Sequence, residues 1–243
     1  MLIEIVHIEA IFRYPVKSMA GERLETADLG WHGIEGDRRM ALRRKDDRSG
    51  FPWLTGSKLP ELILFAPLRR DECAQGELPT HVRTPDGTEL PAFGDDLAAE
   101  VERRYGAPVE MLQMKNGIFD DASISVIASD TVHEIGRLAG QSPDVRRFRP
   151  NILVRLPKPL PFQEDEWLGG VLTFGEGDDA PAVSVTTRDL RCSILNLDPD
   201  SARSAPEVLK AVVRTHQNCA GVYATVTRTG RLDVGQAIFL RLV

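Results

Sequence analysis

The chain has 243 residues, an apolar content of 42% and a formal net charge of −6. This length suits a large domain or a pair of smaller ones with a sizeable core, and no apolar run approaches the roughly 18 residues of a membrane span. The acidic balance argues against a general nucleic-acid-binding surface.

The N-terminus and the cysteines favour a reducing compartment. The segment from Met1 to Glu9 lacks the basic, apolar and small-residue order of a signal peptide, and it predicts a first strand instead. Three cysteines, Cys73, Cys192 and Cys219, show no C-x-x-C spacing and cannot all pair with one another. We therefore expect a cytoplasmic protein that uses neither a disulfide framework nor a membrane segment.

Short apolar segments separated by Pro and Gly favour a mainly β fold with a few peripheral helices. In the first half, Pro85 to Gly87 predicts a hairpin turn. The segment from Asp95 to Tyr105 predicts a short helix, which Asp95 or Asp96 caps. Strands are predicted near residues 2–12, 24–28, 38–44, 62–66, 80–84, 88–91 and 109–114.

The character of the chain changes after Gly117, which predicts two domains, 1–117 and 118–243. An apolar strand over 123–128 leads into a helix that Ser129 or Asp130 caps and that Gly140 ends. A further helix is predicted over 205–215 from the spacing of its apolar residues. The remaining strands are predicted near 151–156, 171–175, 182–187, 221–227 and 236–242.

Two loops in the first half carry cations suited to an anion. Pro15 shapes the turn after the first strand, from which Lys17 and Ser18 could reach a single anion; a solvated lysine in a surface turn is the alternative. The glycine-rich segment around residue 36 has no G-x-G-x-x-G order and no helix after it, which argues against a dinucleotide site. Its glycines allow a tight bend that leaves Arg38 to meet a phosphate or to pair with Asp37.

The segment from Phe148 to Asn151 combines a guanidinium, a proline and an amide. Pro150 biases Arg149 towards an extended conformation just before an apolar strand. Arg149 can then contact a phosphate through two bonds, and Asn151 can pair with the edge of a heterocycle. The alternative is that both side chains only close a loop at the edge of a sheet.

Cys192 is the thiol with the most chemical promise. It follows Arg188 and Arg191, cations that favour the thiolate needed for metal binding or nucleophilic attack. The alternative is a buried and unreactive cysteine, the usual state of a free thiol. Cys219 suits a small core position, and a Cys-His hydrolase built on Cys192 has no positive support.

Six blocks follow one another over almost the whole chain. They are Tyr14 to Ser18, Gly36 to Arg38, Phe148 to Asn151, Glu164 to Gly169, Arg191-Cys192 with Leu197 to Asp200, and Gly221 to Ala224 through Gly235. In this order they resemble the MOSC family. The similarity is to members with an N-terminal MOSC β-barrel domain, such as the mitochondrial amidoxime-reducing component and its bacterial relatives.

The resemblance implies a β-barrel-like protein that holds a mononuclear molybdenum on a pterin dithiolene. By position, Cys192 would ligate the metal and act as the catalytic residue. At the level of the family, the resemblance also implies pyridoxal phosphate binding. The implied phosphate and pterin contacts are Lys17, Ser18, Arg38, Ser123, Arg149, Asn151 and Arg191.

The function that this resemblance implies is the reduction of N-hydroxylated or N-oxide compounds. No C-x₄-C-x₂-C iron–sulfur motif is present, so electrons are expected from a separate iron–sulfur or flavin protein. A sulfur carrier with a persulfide on Cys192 and a non-catalytic cofactor-binding module remain open. The chain also departs from the family, because Ser201-Ala202 stands where a glycine is common and Leu190 where relatives can carry a hydroxyl residue.

Overall fold

Residues 3–70 and 78–241 are described by the computed structural model of the chain. Strands dominate this part of the chain, which confirms the predicted mainly β fold with a few helices. The strands are β1 (Ile3–Arg13), β2 (Glu22–Leu24), β3 (Thr26–Gly30), β4 (Gly33–Ile34), β5 (Met40–Arg44), β6 (Ala66–Leu68), β7 (His81–Arg83), β8 (Glu89–Pro91), β9 (Val109–Gln113), β10 (Ile124–Ala128), β11 (Ile152–Arg155), β12 (Val171–Phe174), β13 (Ala182–Leu190), β14 (Cys219–Arg228), β15 (Gly230–Asp233) and β16 (Ala237–Arg241). The α-helices are α1 (Asp95–Tyr105), α2 (Ser129–Ala139) and α3 (Glu207–His216).

Seven strands form a closed barrel. Their order around it is β1, β11, β10, β14, β13, β12 and β16, and β16 pairs with β1 to complete the circle. Only β10 and β11 run parallel to each other among these neighbours, and α2 makes the crossover between them. Closure leaves no free edge between the first and last barrel strands.

The barrel has an apolar interior and a second apolar layer outside. Side chains alternate between the faces of a strand, so Val126 and Val154 point into the interior core while Ile127 and Leu153 belong to the outer layer. The outer layer is covered by the apolar faces of α2 and α3. Because both faces of β10 are covered, that strand is apolar almost throughout.

Residues from the first half build a core of their own. It includes Met40 and Leu42 on β5, Leu97 and Val101 on α1, and Val82 on β7. β5 pairs with β9, and β6, β7 and β8 form a separate small sheet. β1, however, belongs to the barrel whose other six strands come from residues 124–241. The division near residue 117 therefore stays a proposal.

Several local predictions are confirmed and others are wrong. Gly87 and Gly140 adopt the positive φ that the predicted turn and helix end require. The strand predicted over 62–66 is wrong: Pro60 starts a 3₁₀ turn that buries consecutive apolar side chains, and β6 begins only afterwards. The predicted side-chain caps are also wrong, because α1 and α2 begin without one.

Candidate functional site

A cavity of about 370 Å³ lies between the first-half loops and the barrel, within the size range of small-molecule sites. Its walls come from the loop after β1, the turn before β5, the segment before β11 and the segment after β13. Six of the predicted site residues line it: Lys17, Ser18, Arg38, Arg149, Arg191 and Cys192.

Cys192 lies just after the end of β13, where the chain turns into a short 3₁₀ helix. Its side chain is exposed at the cavity and carries no disulfide. The alternative of a buried cysteine is therefore wrong. Cys219 is also free and lies on β14, whereas Cys73 lies outside the described residues.

The two arginines near Cys192 are held by carboxylates. Arg188 pairs with Asp165 at 2.8 Å. Arg191 pairs with Asp189 at 2.9 Å, and it also donates to the carbonyls of Phe148 and Ala220. Both cations that precede Cys192 in the sequence therefore have a carboxylate partner, and each guanidinium completes a contact between strands or loops. Arg191 thus ties the loop of Cys192 to the loop of Arg149.

Arg149 departs from the predicted extended backbone, since its φ is +53°. This conformation is strained for a non-glycine residue, and a bond from Arg38 Nη2 to the Arg149 carbonyl at 3.0 Å helps to hold it. The guanidinium lies 4.3 Å from the centre of the Tyr14 ring. Its Nη2 is buried without a hydrogen-bond partner. Burial lowers the pKa of Arg149 to about 10.

Arg38 pairs with its neighbour Asp37, so one of the two predicted roles is realised in the structure. Asp37 is fully buried and also accepts hydrogen bonds from the Tyr14 backbone at 2.7 Å and from Asn151 Nδ2 at 3.1 Å. Burial lowers the pKa of Arg38, but the Asp37 carboxylate outweighs it and holds that pKa above its ordinary value. Arg38 therefore presents a permanent positive charge at the cavity.

Lys17 and Ser18 are both about 5% exposed, which makes them part of the wall and not a solvated turn. The Lys17 ammonium donates to Asp120 at 2.9 Å and to the Ile118 carbonyl at 3.2 Å. Burial lowers the pKa of Lys17, and the Asp120 carboxylate opposes that shift. Ser18 has a φ of +64°, so the loop is strained at this cavity residue, as it is at Arg149.

Asn151 and Ser123 do not line the cavity. Asn151 is 1% exposed; its Oδ1 accepts from the backbone of Ser125 and its Nδ2 donates to Asp37. Its amide therefore fastens β10 to the turn of Arg38 from behind the wall. Ser123 lies against Gly33 instead, where a Cβ on the glycine would come within 2.7 Å of the serine carbonyl oxygen.

A polar group at the cavity was missed by the sequence analysis. Ser125 Oγ donates to Asp189 at 2.8 Å, and the Tyr223 hydroxyl donates to the same carboxylate. Burial raises the pKa of Asp189, and Arg191 and these hydroxyls oppose the shift. The sequence carried a signal, because Ser125 and Asp189 are polar residues in strands whose other buried residues are apolar.

The cavity offers phosphate-binding and metal-binding groups at once. Among the described residues, Arg149 has no carboxylate ion pair, whereas Lys17 and Arg38 each have one. No cluster of three His, Cys, Asp or Glu side chains within the described ranges could hold a metal ion. A metal at Cys192 would therefore need ligands from a bound cofactor.

No α-helix in the described part is long and apolar enough to cross a membrane.

Comparison with known families decides the membership. A model of the MOSC domain matches residues 102–239, and a model of the MOSC N-terminal beta barrel domain matches residues 5–112. The chain belongs to the MOSC domain family. A search of curated proteins finds no match.

Two solved structures are similar to this chain, one of them over its full length. The YUAD protein from Bacillus subtilis matches over 100% of both chains, with a TM-score of 0.54 and 16% identity. YiiM from Geobacillus stearothermophilus is 20% identical, with a TM-score of 0.39 over 49% of this chain and 54% of its own.

MOSC domains are generally associated with the molybdenum cofactor, and the residues of this MOSC chain fit that group. The unpartnered Nη2 of Arg149 suits a phosphate oxygen, and the exposed thiol of Cys192 suits a soft metal. The departure at Ser201-Ala202 does not open the loop, because Ala202 adopts a φ of +56° and donates to the Asp198 carbonyl at 2.8 Å. An alanine here takes a conformation that a glycine adopts without strain.

Proposed function

We propose that this protein is a molybdenum-cofactor-dependent oxidoreductase that reduces small N-hydroxylated or N-oxide compounds. The observation that carries the proposal is the exposed thiol of Cys192 in the same cavity as Lys17, Arg38 and Arg149. A soft ligand for the metal and cations for a phosphate are what a pterin-bound molybdenum requires of its protein. The substrate class comes from the resemblance to the amidoxime-reducing component.

The role of the chain's own residues is to bind and orient the cofactor. Arg149 and Arg38 contact the phosphate, Lys17 adds charge, and Cys192 ligates the metal. When bound, the cofactor supplies the two-electron and oxygen-atom chemistry. Asn151 holds Asp37, and Asp37 holds Arg38, so the amide acts through the arginine and not by contact. Ser123 lies outside the cavity and would not contact the cofactor.

The proposed reduction needs a source of electrons. Electrons come from a separate iron–sulfur or flavin protein, because the sequence has no iron–sulfur motif of its own. We further propose a cytoplasmic protein that acts without nucleic acid or membrane. Pyridoxal phosphate binding would use the same cations, and we do not include it because the exposed thiol favours a metal.

Metal analysis of the purified protein tests the proposal. Protein expressed in a host that makes the cofactor should carry close to stoichiometric molybdenum and reduce an N-hydroxylated amidine with a chemical electron donor. Cys192→Ala should lose the activity, and Cys219→Ala, its matched control, should keep metal and activity. Full activity in Cys192→Ala, or cofactor bound without turnover whichever donor is supplied, would reject the reductase; the second result leaves a cofactor-binding module.

A sulfur carrier is the second candidate, and the exposure of Cys192 is the observation that favours it. A persulfide must be reached by its acceptor, which an exposed sulfur allows. Metal-free protein with cyanide-labile sulfur that disappears in Cys192→Ala would establish the carrier in place of the reductase. Labile sulfur retained in that variant but lost in Cys219→Ala would place it on the other thiol.

A further inference from the structure

A second cavity, of about 420 Å³, adjoins the candidate site. It shares Arg147, Arg149 and Ile194 with the first cavity, so these side chains form the partition between the two. The proposed function makes no use of this space. The apolar part of its lining consists of Phe12, Ala20, Ile63, Val145, Ile194, Leu197 and Pro199.

Positive charge at this cavity is only partly neutralised. Arg146 pairs with Asp144, which also lines this cavity, and with Asp200. Arg147 pairs with Asp198. Arg23 is exposed on β2 and, among the described residues, donates only to the Glu9 carbonyl at 3.4 Å. Arg149 likewise has no ion pair in that part of the chain. Arg23 and Arg149, which lie on different segments of the chain, are therefore two cations available at one mostly apolar cavity.

The wall also holds donors without acceptors. The Tyr14 hydroxyl and the Arg147 Nε are buried and have no hydrogen-bond partner. Tyr14 is 2% exposed and Arg147 is 8% exposed. Buried donors without partners are costly, and a ligand group that only accepts hydrogen bonds relieves that cost.

We propose that the second cavity binds a small organic anion. Its aromatic or aliphatic body packs on the apolar wall, and its carboxylate or phosphate group meets Arg23, Arg149 and the Tyr14 hydroxyl. A guanidinium carries five donors in a planar fork, so Arg149 can serve an anion on each side of the partition. The cavity volume lies within the range of small-molecule sites.

Phenyl phosphate is the probe. Benzyl alcohol, which has a ring but no charge, and inorganic phosphate, which has charge but no ring, are the comparison compounds. Binding to the purified full-length protein is measured by calorimetry. Val145 lines only this cavity, so Val145→Phe should fill it and weaken phenyl phosphate at least about tenfold, since the ring loses its apolar contact. Inorganic phosphate should bind this variant as it binds the unmodified chain.

Arg23→Gln tests the charge independently, because an exposed side chain is not needed for folding. It should weaken phenyl phosphate severalfold and leave benzyl alcohol unchanged, whereas Arg137→Gln on α2 should change neither. Tyr14→Phe should weaken phenyl phosphate and Tyr105→Phe should not. No phenyl phosphate binding to the unmodified chain, or equal binding to it and to Val145→Phe and Arg23→Gln, would overturn the proposal.

Discussion

Tyr14 supports two guanidinium groups with one ring. The guanidinium carbon of Arg149 lies 4.3 Å from the ring centre and that of Arg38 lies 4.9 Å from it. The two like charges repel each other, and the negative face of an aromatic ring offsets the repulsion. A Cβ on Gly21 would lie 2.3 Å from the ring, so only a glycine lets the following loop close over Tyr14.

For a phosphate in the first cavity, the ring of Tyr14 and not its hydroxyl should set the affinity of the cation pair, because Tyr14 lines only the second cavity. Tyr14→Leu removes the aromatic face and should weaken inorganic phosphate binding to cofactor-free protein by up to about thirtyfold, since a desolvated cation–π contact is worth about 2 kcal/mol. Tyr14→Phe keeps the face and should bind within about twofold of the unmodified chain. Calorimetric titration measures both.

Tyr14→Leu could also weaken phosphate binding by destabilising the fold, so the experiment needs a control for stability. Phe174→Leu is the matched control. It removes a fully buried ring from the barrel core, and Phe174 does not line the cavity of Arg38 and Arg149. It should destabilise the fold and leave phosphate affinity unchanged. Equal weakening in Phe174→Leu and Tyr14→Leu would mean that Tyr14 acts only through folding.

At the level of elements, the loop that follows the 3₁₀ helix Ser193–Asn196 is tied to the segment that carries Arg149. Arg147 donates to Asp198 at 3.0 Å, and Arg146 makes paired contacts of 2.7 Å with Asp200. The loop therefore positions the chain that enters Arg149. Its own turn depends on Ala202, whose φ of +56° is unfavourable for a residue with a Cβ.

Ala202→Gly should stabilise the protein by about 1 kcal/mol, because glycine adopts positive φ without the steric cost of the alanine. Urea unfolding followed by circular dichroism measures the gain. Ala99→Gly, in the exposed middle of α1, is the matched control and should cost about 1 kcal/mol. A loss of stability in Ala202→Gly would show that the turn relaxes to another conformation in solution.

For the whole molecule, the sequence predicted the secondary structure better than its arrangement. The three helices, the hairpin turn at Gly87 and most strands follow from periodicity and turn residues. The closure of β1 against β11 and β16 does not, because it joins segments more than 140 residues apart, and local patterns carry no signal for such pairing.

The site was predictable as a set of residue types but not as a set of contacts. Lys17, Arg38 and Cys192 could be named from their motifs, and all three line the cavity. The strained backbone of Arg149 and the commitment of Arg191 to strand carbonyls depend on tertiary contacts that local rules omit. Asn151 illustrates the same limit, since its amide proves to be fully engaged inside the protein.

Glu164 makes the stability of the whole fold depend on pH. It lies in a 3₁₀ turn and is fully buried, where it accepts from Thr131 Oγ1 at 3.0 Å beside the start of α2. Burial raises the pKa of Glu164 to about 7, and the neighbouring Asp165 adds to that shift. Between about pH 4.5 and about pH 7, the folded state therefore holds a proton that the unfolded chain, with a pKa near 4.5, has released.

The free energy of unfolding should consequently fall as pH rises from about 4.5 to about 7, by up to about 3 kcal/mol from this group. Glu164→Gln mimics the protonated acid and should remove that part of the pH dependence, so its advantage over the unmodified chain grows towards pH 8. Glu166→Gln, exposed in the same turn, should leave the profile unchanged. Urea titrations between pH 4.5 and pH 8 measure the three profiles. Parallel profiles for Glu164→Gln and the unmodified chain would mean that the carboxylate is ionised in the fold, held by the amide of Ala128 and the hydroxyl of Thr131.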